Sequence, residues 1–185
     1  MAVQFTFVTH ATSLDNEAGI ASGHFDVALS ATGREQAAQR RDDFAGQPID
    51  AVFSSDLQRA SETVRIAFGD RDVPLIEDVR LRECDYGELT GRPSEEIAAA
   101  RPQHIDVPFP GGESYAQIAA GMRSLLDEIA ATRESQRIVI VGHRATQDCL
   151  EHLANGVPLA ETISLPWAWQ PMWEHRYSPD AVVTP

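Results

Sequence analysis

No lysine occurs anywhere in the chain; all 15 of its cationic side chains are arginine. That excludes a lysine Schiff base and a Walker-type phosphate lysine. Cysteine is almost as scarce. Cys84 and Cys149 are too few for a disulfide framework, and no CxxC or Cys/His cluster points to zinc. No apolar run approaches the roughly 18 residues that span a bilayer, and the first residues lack a signal-peptide layout, so a cytoplasmic protein with no membrane contact is expected. Basic charge is in deficit: the formal net charge is −13, which argues against nucleic acid or an anionic membrane surface as partner. A local basic pocket for a small anion is compatible with that balance. Repeats, low-complexity tracts and domain-sized linkers are also missing, and 185 residues suffice for one full core. A single domain, 1–185, is expected.

What is there begins with Val3 to Val8, a β-branched and aromatic run that reads as a buried strand. It surfaces at Thr9, His10, Ala11, Thr12 and Ser13. A second apolar run, Ile138 to Gly142, delivers His143 and Arg144 in the same way. Ligands of open α/β sheets sit beyond the carboxyl ends of strands, so two such histidines are candidates for one site. Between them, Leu14 to Ala28 reads as a loop crossing the site. Ser30 starts a helix to Phe44, Ala51–Phe53 is a strand, and Asp56 is the expected cap of the next helix. A short helix covers Ser94–Ala100, and Ser114 opens a long amphipathic helix with Ile118, Met122, Leu125 and Ile129 on one face. A helix from Ala145 to Asn155 and a strand near Pro171–Tyr177 complete the pattern. Trp167, Trp169 and Trp173 read as core covering. Strands alternating with helices predict a three-layer α/β/α sandwich around a mostly parallel sheet.

Six blocks, in order, carry a resemblance. Thr9-His10-Ala11-Thr12-Ser13 with Asn16 is followed by SGHFDVALSATGREQA, by FSSDLQRASETV from Phe53, by LRECDYGELTG from Leu81, by PGGES from Pro110, and by VGHRATQ. Together they resemble the histidine phosphatase superfamily, the phosphoglycerate-mutase-like fold, over nearly the whole chain. The resemblance implies that His10 is a nucleophile forming a phosphohistidine and that Glu83 is the general acid and base. It implies that Arg59 and His143 hold the phosphoryl oxygens, with Asn16 adding a neutral hydrogen bond. No metal or cofactor is then needed. His24, in the loop after Asn16, is a further candidate for phosphate contact, and the segment at roughly 84–113 is the expected lid.

The first block departs from the family pattern. Thr9-His10-Ala11 stands where the family has Arg-His-Gly, so a phosphate-binding arginine is replaced by a hydroxyl. Arg144 occupies a position that is usually glycine and is the candidate to return the charge, with Thr9 itself in hydrogen-bond reach. The leading expectation is a metal-independent phosphatase acting on a small phosphorylated metabolite. The alternative is a phosphate-ligand binding or regulatory protein that has lost hydrolysis. A phosphomutase ranks behind both, because little chain is available for a larger lid. The sequence leaves open whether the chain forms a homodimer.

Overall fold

The computed structural model describes residues 2–179. Five strands form one sheet: β1 (Val3–Thr9), β2 (Ala51–Ser54), β3 (Leu75–Glu77), β4 (Arg137–Gly142) and β5 (Trp173–Tyr177). Their order is β3-β2-β4-β1-β5, and only the β1–β5 pairing is antiparallel. The helices are α1 (Leu14–Ala18), α2 (Ala31–Asp43), α3 (Gln58–Phe68), α4 (Ser94–Ala100), α5 (Tyr115–Thr132), α6 (Arg144–Asn155) and α7 (Leu159–Ser164).

Side chains alternate across a strand, and that alternation builds the layers here. Phe5, Phe7, Ile138 and Ile140 pack with Leu125, Leu126, Ile129 and Leu150 of α5 and α6. Val8, Val52, Val139 and Val141 face the other way, against Phe44 and against Val64, Ala67 and Phe68 of α3. The result is the α/β/α sandwich expected. Each fully buried large apolar side chain contributes roughly 1.5–3 kcal/mol, so both faces of β1 and β4 are committed and only their ends are free for chemistry.

Caps set where the helices begin. The Ser30 hydroxyl accepts from Gly33 N at 3.0 Å, and Ser114 and Gln117 satisfy each other's backbone donors at the start of α5. Gly33 also lets α2 sit on the loop after His10: a Cβ there would lie 1.9 Å from Thr12 O. Two expectations are corrected. Asp56 does not cap α3, whose N-cap is Leu57 with no side-chain bond; the Asp56 carboxylate instead accepts from Arg82 Nε at 2.7 Å. The stretch after Ser13 is not all loop, because Ser13 and Asn16 form a reciprocal cap that starts α1.

The 84–113 segment is tied to the loop after β1. Ala21 N donates to Arg92 O, Gly91 N to Ala21 O and Ser94 N to Gly19 O. Its far end closes on itself, since a Cβ on Gly112 would meet Asp85 O at 2.2 Å.

Candidate active site

Strand register brings the two histidines together. Thr9 lies opposite Gly142 in the parallel β1–β4 pair, and His10 N continues the ladder to Gly142 O at 2.9 Å. The rings of His10 and His143 end 4.9 Å apart, centroid to centroid. His10 Nδ1 lies 2.7 Å from Ala11 O. A carbonyl can only accept, so Nδ1 carries the proton and Nε2 presents a bare lone pair. Removal from water, reinforced by the Arg59 charge, pulls the His10 imidazole down to about 3, against the pull of the Ala11 carbonyl. It is neutral at neutral pH.

His143 is 0% exposed, and neither ring nitrogen has a partner among the described residues. Burial first, then the Arg59 charge, holds it well below the usual histidine range. An unsatisfied buried imidazole beside the bare Nε2 of His10 marks a place where a ligand can complete the hydrogen bonding.

Arg59, in the first turn of α3, is buried and donates from Nη1 to Phe25 O at 3.0 Å and from Nη2 to Gly23 O at 2.8 Å. Among the described residues no carboxylate pairs with it directly. Burial lowers its pKa, yet an arginine keeps its charge. One turn on, the buried Thr63 hydroxyl accepts from Ala11 N at 3.0 Å and donates to Arg59 O at 2.7 Å. A single hydroxyl therefore fastens the end of β1 to the helix that carries the cation. Ala11 itself has no left-handed backbone, so a methyl in place of glycine brings no strain here.

Two chambers, of about 600 Å³ and about 160 Å³, share His10, Asn16, Glu83, Ser94 and Arg144 as walls. The smaller also exposes Arg59; the larger opens past Thr9. Glu83 is half-buried, with Oε1 accepting from Cys84 N at 2.8 Å. Asn16 reaches the cavity, but its Oδ1 is taken by Ser13 N at 3.0 Å, which leaves the amide nitrogen to face a ligand. Arg144 donates from Nη2 to Leu165 O at 2.9 Å, lies over the Trp167 ring, and has a buried Nε that faces the Asp148 carboxylate at 3.8 Å without a hydrogen bond among the described residues.

His24 is not among the residues that line the two chambers. Its Nε2 donates to the Glu83 carbonyl at 2.8 Å, and Asp85 and Glu113 lie 3.7 Å from the ring. A backbone acceptor and two carboxylates hold it behind Glu83, where it sets the position of that backbone.

Other residues reach the cavity without any warning from motifs. Arg101 is 3% exposed and lines the small chamber; its Nε donates to Tyr115 Oη at 2.8 Å, its Nη2 bonds Asp148, and its Nη1 has no partner. Burial lifts the Asp148 carboxyl to about 6, against the pull of Arg101 and Arg144, so it stays ionised at neutral pH and shared between two guanidiniums. Ser94 and Trp169 are likewise unannounced. No group of three or more His, Cys, Asp or Glu side chains among the described residues is placed to hold a metal ion, and no helix among them is long and apolar enough to cross a membrane.

Comparison with known proteins gives a consistent picture. A family model of the histidine phosphatase superfamily (branch 1) matches residues 5–172. Phosphoserine phosphatase 1 of Hydrogenobacter thermophilus is 27% identical over 167 residues, 86% of this chain and 79% of its own. Phosphoglycerate mutase-like protein 4 of Arabidopsis thaliana is 32% identical over 151 residues, 76% of this chain and 66% of its own. A mycobacterial glucosyl-3-phosphoglycerate phosphatase, solved with VO3, superposes with a TM-score of 0.79 at 26% identity, covering 95% of this chain and 92% of that one.

Proposed function

The chain belongs to the histidine phosphatase superfamily and is a histidine-type phosphatase, and we propose that it hydrolyses a small phosphorylated metabolite without a metal, His10 acting as nucleophile and Glu83 as general acid and base. The carrying observation is the fixed tautomer of His10: the Ala11 carbonyl takes the Nδ1 proton and leaves Nε2 bare in a cavity shared with Glu83.

The Nε2 lone pair forms a bond to phosphorus as the ester P–O bond breaks, and Glu83 gives its proton to the departing alkoxide. The resulting carboxylate takes a proton from water, whose oxygen then attacks the phosphohistidine. Phosphate leaves, His10 regains its lone pair, and Glu83 is again protonated. Charge on the transferring group is met by the permanently charged Arg59 guanidinium and by an N–H of His143, whose ring has no other partner among the described residues. Arg144 faces the same space and supplies a second positive charge where Thr9 gives none.

Hydrolysis of p-nitrophenyl phosphate in excess chelator tests this reading. Wild type turns over, His10→Ala loses activity by at least ~10³-fold, and Glu83→Gln by ~10²–10⁴-fold, the usual range for a general acid–base group. Undiminished turnover in His10→Ala overturns the mechanism. Thr9 favours one other reading, a phosphate-ligand binding protein; tight phosphate binding without hydrolysis of any ester would support it.

A further inference from the structure

The small chamber suits a phosphoryl group, but the larger one is far roomier than the rest of a three-carbon phosphate requires. At about 600 Å³ it falls in the range that encloses ligands with one or more rings. Its far wall is formed by Trp167, Trp169 and Pro171. Trp173 lies in the core as expected, but Trp169 is 61% exposed and borders this chamber. Trp167 is steadied from behind, by Trp173 at 5.6 Å between ring centroids and by the Arg144 guanidinium at 5.6 Å.

α2 supplies another part of the chamber wall. Gln36 has its Oε1 fixed by the backbone and hydroxyl of Thr12, so its amide nitrogen is left to donate, and Gln39 lies one turn on, also on the chamber wall. The cation on this wall, Arg40, is already occupied: Nη1 bonds Pro171 O and pairs with Asp43 at 3.7 Å. A carboxylate on the leaving group would therefore meet Asp43 on this wall, and the chamber's other cation, Arg144, is engaged by Leu165 O at 2.9 Å and faces Asp148 at 3.8 Å. An uncharged ring would find an aromatic face and neutral amide partners. Arg40 also ties the tryptophan segment to α2, so the two walls are held at a fixed spacing.

We propose that this chamber is a leaving-group subsite selecting phosphate esters of uncharged, ring-bearing alcohols, with Trp169 as its stacking residue. The inference rests on the phosphatase reading and deepens it. A flat ring face is common to aromatic and sugar alcohols, and both enter the test.

The experiment compares kcat/KM of the full chain for benzyl phosphate, glucose 6-phosphate and O-phosphoserine, each of which releases an alkoxide oxygen. At least one ring ester exceeds O-phosphoserine by ~10-fold, and which one leads distinguishes an aromatic from a sugar ring. Trp169→Ala lowers the ratio of ring ester to O-phosphoserine by ~3- to 10-fold, the scale of one aromatic contact, and Trp169→Phe restores it to within ~2-fold of wild type. Preference for O-phosphoserine, or an equal loss on every ester in Trp169→Ala, overturns the proposal. A chain that hydrolyses nothing refutes the phosphatase reading, and the subsite is then judged by binding. Saturable quenching of tryptophan fluorescence by p-nitrophenyl phosphate that disappears in Trp169→Phe sustains it, and quenching unaffected by that change refutes it.

Discussion

Replacing Thr63 by valine removes one oxygen and changes the shape of the side chain hardly at all. Thr63 is 0% exposed, and its hydroxyl is the partner that Ala11 N finds, at 3.0 Å. Arg59 O is less dependent on it, because as a helix carbonyl it also receives the backbone bond from Thr63 N. The loss is thus one buried, unsatisfied N–H, which costs about 1–3 kcal/mol. Against a typical total of about 5–15 kcal/mol that is a large share, and for a chain of this length it corresponds to a fall in Tm of roughly 2–12 °C. The functional cost is separate. Ala11 O orients the His10 ring, so a peptide freed at Ala11 loosens the nucleophile, and misplacement on the order of 1 Å costs about 100-fold in rate. Urea unfolding and kcat, measured on Thr63→Val and Thr63→Ser, separate the two contributions. Serine keeps the oxygen and loses one methyl, worth about 0.8 kcal/mol, and should hold kcat within ~3-fold while valine loses at least ~10-fold. If valine changes stability by less than about 0.5 kcal/mol and leaves kcat intact, the hydroxyl is not what fastens β1 to α3.

Two further outcomes follow from the site's charges. Because His10 is held near 3 and His143 well below its ordinary value, the unfolded chain binds more protons than the folded one below about pH 6.5. Stability is therefore fully present above that pH and falls as pH drops toward 3, by up to about 1.4 kcal/mol per pH unit for each group. Asp148, raised to about 6, acts in the opposite sense between its unfolded value and 6. Urea midpoints at several pH values should show a shallower acid slope in His143→Gln than in wild type; identical slopes would contradict the burial argument. At the phosphate, Arg144→Gly should lose ~10- to 100-fold in kcat/KM, the worth of a charge-assisted bond. Adding Thr9→Arg should recover most of it, and no recovery would mean that Arg144 does not replace the missing charge.

How far the chain could be read in advance depended on the range over which each feature is determined. The strands ending in His10 and His143 are local: an apolar run followed by polar residues marks them, and the sheet order then makes neighbours of two segments more than a hundred positions apart. The helix caps at Ser30 and Ser114 are local too. Asp56 was misread because an aspartate before a helix has two uses, and Arg82, which comes from another segment, claimed it. The surroundings of His24 are likewise long-range, its ring being engaged by Glu83 O and by carboxylates distant in sequence. Arg101 and Asp148 carry no local sign at all, since neither lies in a recognisable pattern and only the packing of α6 against the 84–113 segment brings them together.

Thr9 shows the limit most clearly, because its meaning reverses between sequence and structure. As a letter in a motif it is a loss, a missing phosphate ligand. In the fold its short side chain lines the large chamber beside His10. A longer side chain at a lining position would take volume from that chamber. On the proposed reading, the residue that brings no charge to the phosphoryl site also leaves room beside it, and Arg144, which follows the adjacent strand, lines the same space. The fold and the proposed nucleophile follow from features shared with the family; the proposed leaving-group preference rests on Trp169 and on the amides of Gln36 and Gln39 that line the chamber.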